Sequence, residues 1–289
     1  MIRYNPKDWF LIIFKFHKAD TFRKLLPLIV VLSIYAGLIT WLESEVWKLS
    51  EKSHVKNLSL IHTSLGMVIS LLLVFRTNTA YERWWEGRKV WGGLVNSSRN
   101  LALKVRTLVP QEVGYYSVMI PNFAFALKNH LRRVHLEEEL EPAEGFTIAE
   151  TGAAHLPNKI VSQIMQYTIA LEKSGKLKTE HLLFLQPELT NFTEATGACE
   201  RIRNTPIPYS YSVFLKKFMF LYVMTLPFGF VFSLGYFTVP VVAIIFYVLA
   251  SLELIAEEIE DPFGSDANDL PTDEIATGIR KSVKEILNF

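Results

Sequence analysis

The chain has 289 residues, half of them apolar, and a mean hydropathy of +0.21, which is too apolar for an average soluble protein. Its 30 basic and 29 acidic residues give a formal net charge of +1, so there is no basic field for nucleic-acid binding and nucleic acid is not expected as a partner. The single cysteine, Cys199, excludes an intrachain disulfide and a thiolate zinc cluster.

Two apolar stretches near the start of the chain predict a first membrane hairpin. Leu25 to Leu42 has about 18 residues without a charge, close to the lower length that spans a hydrocarbon core of roughly 30 Å. Leu58 to Phe75 is similar in length, and His62 is its one ionisable group. The polar link Glu43 to Asn57 joins the two, with tryptophans placed like interfacial anchors.

A longer apolar stretch predicts a second hairpin. Phe218 to Leu252 has about 35 uncharged residues, too many for one crossing and about right for two joined by a tight turn. Pro227, Gly229, Gly235 and Pro240 interrupt this stretch and favour a turn within it.

The basic residues that flank the predicted spans set the orientation, because cytoplasmic flanks are enriched in lysine and arginine. They precede the first and third spans and follow the second: Arg3, Lys7, Lys15, Lys18, Arg23, Lys24, Arg76, Arg83, Arg88, Lys89, Lys216 and Lys217. Four spans with both termini cytoplasmic put all of these flanks on one side. We therefore expect a multi-pass protein of the cell membrane.

The region between the hairpins predicts a water-exposed helical domain. Apolar residues recur at three- and four-residue spacing in Val113 to His135, Lys159 to Leu171 and Thr179 to Arg203, as in amphipathic helices. The segments expected are thus 1–75 (N-terminal interfacial segment and first hairpin), 76–209 (cytoplasmic helical domain), 210–256 (second hairpin) and 257–289 (cytoplasmic C-terminal segment).

The second predicted span carries a candidate pore stripe. Met67, Leu71 and Phe75 are four residues apart, so they project from one face of a helix. Copies of this stripe around an axis would form a narrow apolar neck that gates by dewetting. Spacing alone also fits a face that contacts lipid or packs against other helices.

Three motifs add to this interpretation. They are the run Leu65 to Trp91, the stretch GACERIRNTPIPYSY at Gly197 to Tyr211, and IEDPFGSDANDLP at Ile259 to Pro271. In these motifs and their order the chain resembles the prokaryotic bestrophins over nearly its whole length. The resemblance implies a homopentamer around an axial pore, with Met67, Leu71 and Phe75 at the neck and a second aperture at the cytoplasmic end.

The resemblance places the second aperture a few residues after the SGKL turn at Ser174 to Leu177. Glu180 is the best positional match, and five such carboxylates would form an acidic ring that favours cations. A shift of one residue brings His181 there instead and makes the ring pH-sensitive. Both residues also fit an ordinary helix N-terminus on the surface.

An acidic segment follows the last predicted span, and animal relatives use the equivalent region as a calcium clasp. Asp261, Asp266 and Asp269 are the candidate metal ligands here, since calcium takes oxygen ligands. Ser265, Ala267 and Asn268 interrupt the acidic run, and EF-hand spacing is absent. The preferred interpretation is a charged helix end that pairs with basic residues. No cofactor is required, and calcium remains the one candidate.

Enzyme motifs are missing from the sequence: it has no HExxH, GxSxG, Walker or dinucleotide fingerprint. His62 is expected either at a pore entrance or reaching for the interface. Trp84, Trp85 and Trp91 are expected to pack the helix that follows the second span.

The sequence therefore predicts an all-α membrane protein with four transmembrane helices per subunit and a cytoplasmic helical domain, assembled as a pentamer around an axial pore. The expected function is passive conduction of small monovalent ions with a preference for cations. The alternatives are an anion channel, as in animal relatives, and a non-conducting scaffold. The expected partners are the lipid bilayer, small inorganic ions and other copies of the chain.

Overall fold

The structure is a computed structural model that describes residues 21–48, 58–134, 136–146 and 155–288. These residues are helical apart from turns and one isolated bridge, Ala143–Phe146, so the all-α prediction is confirmed. The predicted interfacial segment before residue 21, most of the link between the first two spans and His135 lie outside the described residues.

Eight α-helices are described. In chain order they are α1 (Thr21–Trp41, continued by a π-helical turn at Leu42–Val46), α2 (Leu58–Leu108), α3 (Val113–Arg132), α4 (Leu156–Lys173), α5 (Thr179–Asn204), α6 (Tyr209–Leu234), α7 (Thr238–Glu260) and α8 (Thr272–Leu287). Short 3-10 turns lie at Pro110–Glu112, Glu137–Glu139 and Gly235–Phe237.

The second predicted span and the helix after it are one helix, α2, of 51 residues. No proline occurs between Leu58 and Leu108, so nothing removes a backbone donor or forces a kink. The two helices of the second hairpin, by contrast, are separated at Gly235. Its φ of 53° lies in the left-handed region that favours glycine, and the chain reverses there through a 3-10 turn.

Three stretches are long and apolar enough to cross a membrane by length and composition: Thr21–Val46, Ser59–Leu108 and Tyr209–Glu260. The third contains both α6 and α7. The first and third stretches and the first part of the second lie in one compact unit, here called the apolar unit. Its described residues are 21–48, 58–82 and 206–260. Its interior has two apolar clusters, one around Leu32, Ala36, Val223, Leu226 and Val242 and one around Ile69, Leu73 and Leu215.

The remaining described residues, within 83–205 and 261–288, form a second unit with its own core, here called the polar unit. Aromatic side chains fill that core: Trp91, Tyr116, Phe123 and Phe192 are fully buried, and the rings of Phe123 and Phe192 stack at 4.6 Å. Cys199 is also fully buried. The pKa of its thiol is raised to about 12, mainly by burial and to a smaller extent by the charges of Glu200 and Glu86.

Helix α8 joins the polar unit through one apolar face and an ion-pair cluster. Ala276, Ile279, Val283 and Leu287 are buried along it. At its start, Asp273 accepts hydrogen bonds from Arg132 Nη2 at 2.7 Å and from Lys128 Nζ at 2.9 Å. The pKa of Asp273 is lowered to about 2, chiefly by the hydrogen bonds from Arg132. Partial burial of the carboxylate opposes this effect and raises the pKa. The Lys128 stem is buried and its ammonium also contacts Glu139 at 2.6 Å.

Candidate ion pathway

The three predicted neck residues lie on α2 and share its exposed face within a single chain. Met67 is 79% exposed, and Leu71 and Phe75 are each 56% exposed. Ile69 and Leu73, on the other side of the same helix, are buried in the apolar unit. The helix therefore packs by one face and presents the Met67, Leu71 and Phe75 stripe on another.

Hydroxyl groups lie at both ends of this stripe. Thr63 and Thr79 continue the four-residue spacing in the two directions and are exposed. Their hydroxyls donate to the Ser59 and Phe75 carbonyls, at 3.0 and 2.9 Å. Since α-helices rise 1.5 Å per residue, the apolar segment from Met67 to Phe75 is about 12 Å long, and polar groups border it above and below.

A buried arginine follows the stripe directly. Arg76 is 2% exposed, and its Nη2 lies 2.6 Å from Glu260 Oε2. Its Nε lies 3.5 Å from Glu253 Oε2, and the other oxygen of Glu260 accepts the Ile207 backbone N–H at 2.7 Å. This cluster connects α2 with both ends of the second hairpin inside the apolar unit. In the sequence, Arg76 is recognisable only as one of the basic flanks, and its partners leave no signal there.

The acidic residues at the end of α7 pair with lysines. Glu258 accepts a hydrogen bond from Lys24 at the start of α1, and Glu257 accepts two from Lys216, each at 3.0 Å. This part of the acidic segment has the ion pairs expected of a charged helix end.

The three candidate calcium ligands lie in the turn between α7 and α8. Asp269 is buried and its Oδ2 accepts the Asp266 backbone N–H at 2.6 Å, while Asp261 and Asp266 are exposed. In the described part of the chain these carboxylates are not brought together as three ligand oxygens within 4.8 Å. Calcium takes six to eight oxygens, and calcium binding by these three residues stays a prediction.

The two candidate aperture residues lie at the start of α5. Glu180 is exposed in the first turn, where a carboxylate is favourable beside the positive end of the helix. His181 is partly exposed and its Nδ1 accepts the Lys178 backbone N–H at 3.3 Å. Both positions fit a surface helix start within one chain, and an aperture role stays a prediction.

The predicted packing role differs among the three tryptophans. Trp91 is fully buried, and the indole Nε1 of Trp84 donates to the Asn268 carbonyl at 3.0 Å. Trp85, however, is 48% exposed in the chain. Trp85 is therefore not a buried packing residue within the single chain.

His62 is buried within the apolar unit rather than placed at a pore entrance or reaching for the interface. Its Nε2 lies 2.9 Å from Thr225 Oγ1, and its ring lies beside those of Tyr222 and Phe230. The hydrogen bond satisfies an ionisable group in an apolar setting.

One further cluster of polar side chains, in the polar unit, was not predicted from the sequence. His130 Nε2 and His155 Nε2 lie 2.6 and 2.8 Å from the same atom, Glu200 Oε1. The two histidines are 70 and 45 residues from Glu200 in sequence, so no motif spacing could have indicated the cluster.

Long apolar helices combined with a polar helical unit define the class of an integral membrane protein, because helices satisfy every backbone group within the bilayer. The protein-family model described as Bacterial/Fungal Bestrophin protein matches residues 1–285 of the chain. The chain therefore belongs to the bacterial and fungal bestrophin family, as the sequence resemblance predicted.

Individual relatives agree. A voltage-dependent anion channel-forming protein of Nostoc sp. is 36% identical over 236 residues, which are 78% of this chain and 76% of that protein. One of the same description from Synechocystis sp. is 37% identical over 234 residues, with the same two shares. A crystal structure of a bacterial bestrophin homologue from Klebsiella pneumoniae superposes with a TM-score of 0.81 at 28% identity, covering 93% of this chain and 99% of that one.

Proposed function

We propose that this chain is the subunit of a membrane ion channel that conducts small monovalent ions passively through a neck lined by Met67, Leu71 and Phe75. The observation that carries the proposal is the exposed apolar stripe of these three residues on a helix whose other side is buried. Three stacked apolar rings would dewet a narrow passage and so control conduction.

In such a pore, the exposed side chains of Thr63 and Thr79 would give the neck polar rims. Membership of the bestrophin family, and relatives named as channel-forming proteins, support a channel rather than an enzyme.

Closure of the pore requires several subunits, because one stripe per chain cannot enclose a passage. We propose a homopentamer with cyclic symmetry, which repeats each stripe residue as a ring. The exposure of Met67, Leu71 and Phe75 in the single chain is compatible with such a ring. Mass measurement in mild detergent tests the pentamer, and a stable monomer or dimer contradicts it.

We further propose four crossings of the cell membrane, by α1, the first part of α2, α6 and α7, with both termini cytoplasmic.

Charge selectivity has two candidates. Glu180, exposed in the first turn of α5, supports a preference for cations if it lines an aperture. The names of the curated relatives, which describe anion channel formation, support the opposite sign. The apolar neck itself carries no charge and does not choose between them.

The decisive experiment is a planar-bilayer recording of the purified protein under a salt gradient. A channel gives single-channel steps, and the sign of the reversal potential separates cation from anion conduction. Reconstituted protein that assembles as a pentamer but carries no ion flux contradicts the channel and favours a scaffold role.

A further inference from the structure

The polar unit contains a group of three metal-ligand side chains that the proposed channel does not use. His130, His155 and Glu200 each offer one ligand atom, and these atoms all lie within 4.8 Å of one another. The two imidazole Nε2 atoms converge on one carboxylate oxygen, and the ring centroids are 4.5 Å apart. Three metal-ligand groups are thus adjacent in the polar unit.

Each ligand comes from a different helix end or face. His130 lies in the last turn of α3, His155 is the N-cap residue of α4, and Glu200 lies on α5. The His130 backbone is held in turn, because its carbonyl accepts hydrogen bonds from Arg133 N and Arg203 Nη1, both at 3.2 Å. The group is therefore positioned by the packed helices.

The site is accessible from solvent but not freely exposed. The three side chains are 26, 32 and 31% exposed, so an ion can reach them without local unfolding.

We propose that His130, His155 and Glu200 bind a first-row divalent cation, with Zn²⁺ as the reference ion. Imidazole nitrogen is a ligand for zinc and its neighbours in the first transition row, whereas calcium and magnesium require oxygen. Two histidines and one glutamate leave the fourth tetrahedral position open for water or an exogenous ligand.

Metal binding requires a small opening of the cluster. Ligand atoms at the usual zinc distances are about 3.3 Å apart in a tetrahedral site, compared with 2.6 and 2.8 Å in the hydrogen-bonded group. Both histidines also have to free Nε2, because each Nε2–H donates to a carboxylate oxygen that only accepts, and for His155 this is a change of tautomer. Its Nδ1 accepts the Asn158 backbone N–H at 3.3 Å, so the neutral ring carries its proton on Nε2. Zinc displaces that proton, and the ring proton then resides on Nδ1, which releases the Asn158 N–H.

Two variants separate metal binding from folding. Glu200→Gln keeps an oxygen that accepts from the histidines but loses the anionic ligand. His155→Asn keeps a favourable N-cap residue for α4 but removes the imidazole. Glu194→Gln is the matched control, because Glu194 is an exposed carboxylate on the same helix.

The test is a titration of metal-free, full-length protein with Zn²⁺ against a chromogenic chelator. We expect one ion per chain, and an affinity at least about tenfold lower in Glu200→Gln and His155→Asn than in the parent and Glu194→Gln. Zinc should raise the melting temperature of the parent and the control only, since it binds the folded state.

Co²⁺ provides an independent readout of the ligands. The parent should show the intense visible bands of a low-coordinate Co²⁺ site, and both cluster variants should lack them. The proposal is overturned if the parent binds no zinc, or if the cluster variants match the control in affinity and in the Co²⁺ spectrum. Either result leaves the proposed ion conduction unaffected, because the titration does not depend on channel activity.

Discussion

Arg76 directly follows Phe75 in the sequence, and its guanidinium contacts the Glu260 carboxylate at 2.6 Å. The apolar stripe thus ends beside a positive charge that is neutralised within the same chain. Arg76 is 2% exposed and Glu260 14% exposed, so bulk water screens the pair little. A carboxylate of the second hairpin therefore fixes the helix that carries the stripe.

Arg76→Ala should destabilise the protein by about 3–5 kcal/mol, because it leaves Glu253 and Glu260 without their buried cationic partner. Lys216→Ala is the control: its pair with Glu257 is about half exposed, and its loss should cost no more than about 1 kcal/mol. Unfolding in one detergent by heat or denaturant compares the two. Equal losses would mean that the Arg76 cluster contributes no more than a surface pair.

Leu71→Ala or Phe75→Ala should strongly raise conductance or open probability, because a wider ring of smaller side chains wets more readily. Leu73→Ala is the matched control, since Leu73 is buried in the apolar unit, and its loss should lower stability by about 2–5 kcal/mol. Leu72, which packs against the same cluster, should behave similarly. Planar-bilayer recordings decide: parental currents from both stripe variants would assign this face to lipid or packing.

Glu180→Ala and Glu180→Lys should shift the cation-to-anion permeability ratio towards anions, in that order of size, while expression and assembly are unchanged. The carboxylate is exposed in the first turn of α5, so its removal disturbs little packing. Reversal potentials under a salt gradient measure the shift. If neither substitution moves the reversal potential, Glu180 is an ordinary surface residue at a helix start.

Acid should remove the contribution of Asp273 to stability. Its pKa is lowered from an ordinary 3.8 to about 2, so the stabilisation is fully present above about pH 4 and is lost as the pH falls through about 2. Asp273→Asn lacks this titration. The melting-temperature difference between parent and variant should be constant from pH 7 to about 4 and then shrink. A difference that is the same at all pH values would show that Arg132 and Lys128 do not lower this pKa.

Two tryptophans offer a matched pair of substitutions. Trp91→Ala should destabilise the chain by about 3–5 kcal/mol, since it empties a fully buried site. Trp85→Ala should leave chain stability nearly unchanged and weaken assembly if the exposed indole lies between subunits. Thermal unfolding and mass measurement in detergent separate the two effects. A large loss of chain stability from Trp85→Ala would contradict the exposed position.

The apolar helices were predictable from the sequence because each stretch without charges is long. The turn at Gly235 was predictable because glycine and proline interrupt the third stretch, Phe218 to Leu252. Three- and four-residue periodicity predicted helices from Val113, Lys159 and Thr179, and in the structure these helices begin at Val113, Leu156 and Thr179. The unbroken length of α2 was harder to foresee, since its composition changes from apolar to charged at Arg76 while the backbone continues.

Helix α8 was not predicted, although Ala276, Ile279 and Val283 have the spacing of an amphipathic helix. Three other features depend on contacts between distant residues and so leave no local pattern. The partners of Arg76 and the grouping of His130 with His155 and Glu200 arise only when helices pack. Whether the stripe of Met67, Leu71 and Phe75 lines an axis depends on other copies of the chain, so its position in a pore remains a prediction.

The burial of Cys199 makes the natural chain a ready background for site-directed labelling. Thiol reagents need access and a thiolate, and the one cysteine of the sequence is fully buried. No cysteine-free parent has to be made first. Leu71→Cys and Leu73→Cys, introduced one at a time, can be probed from the aqueous phase with a charged methanethiosulfonate. The rate at which each introduced cysteine reacts then shows which face of α2 is exposed to water, and this measurement needs no electrical recording.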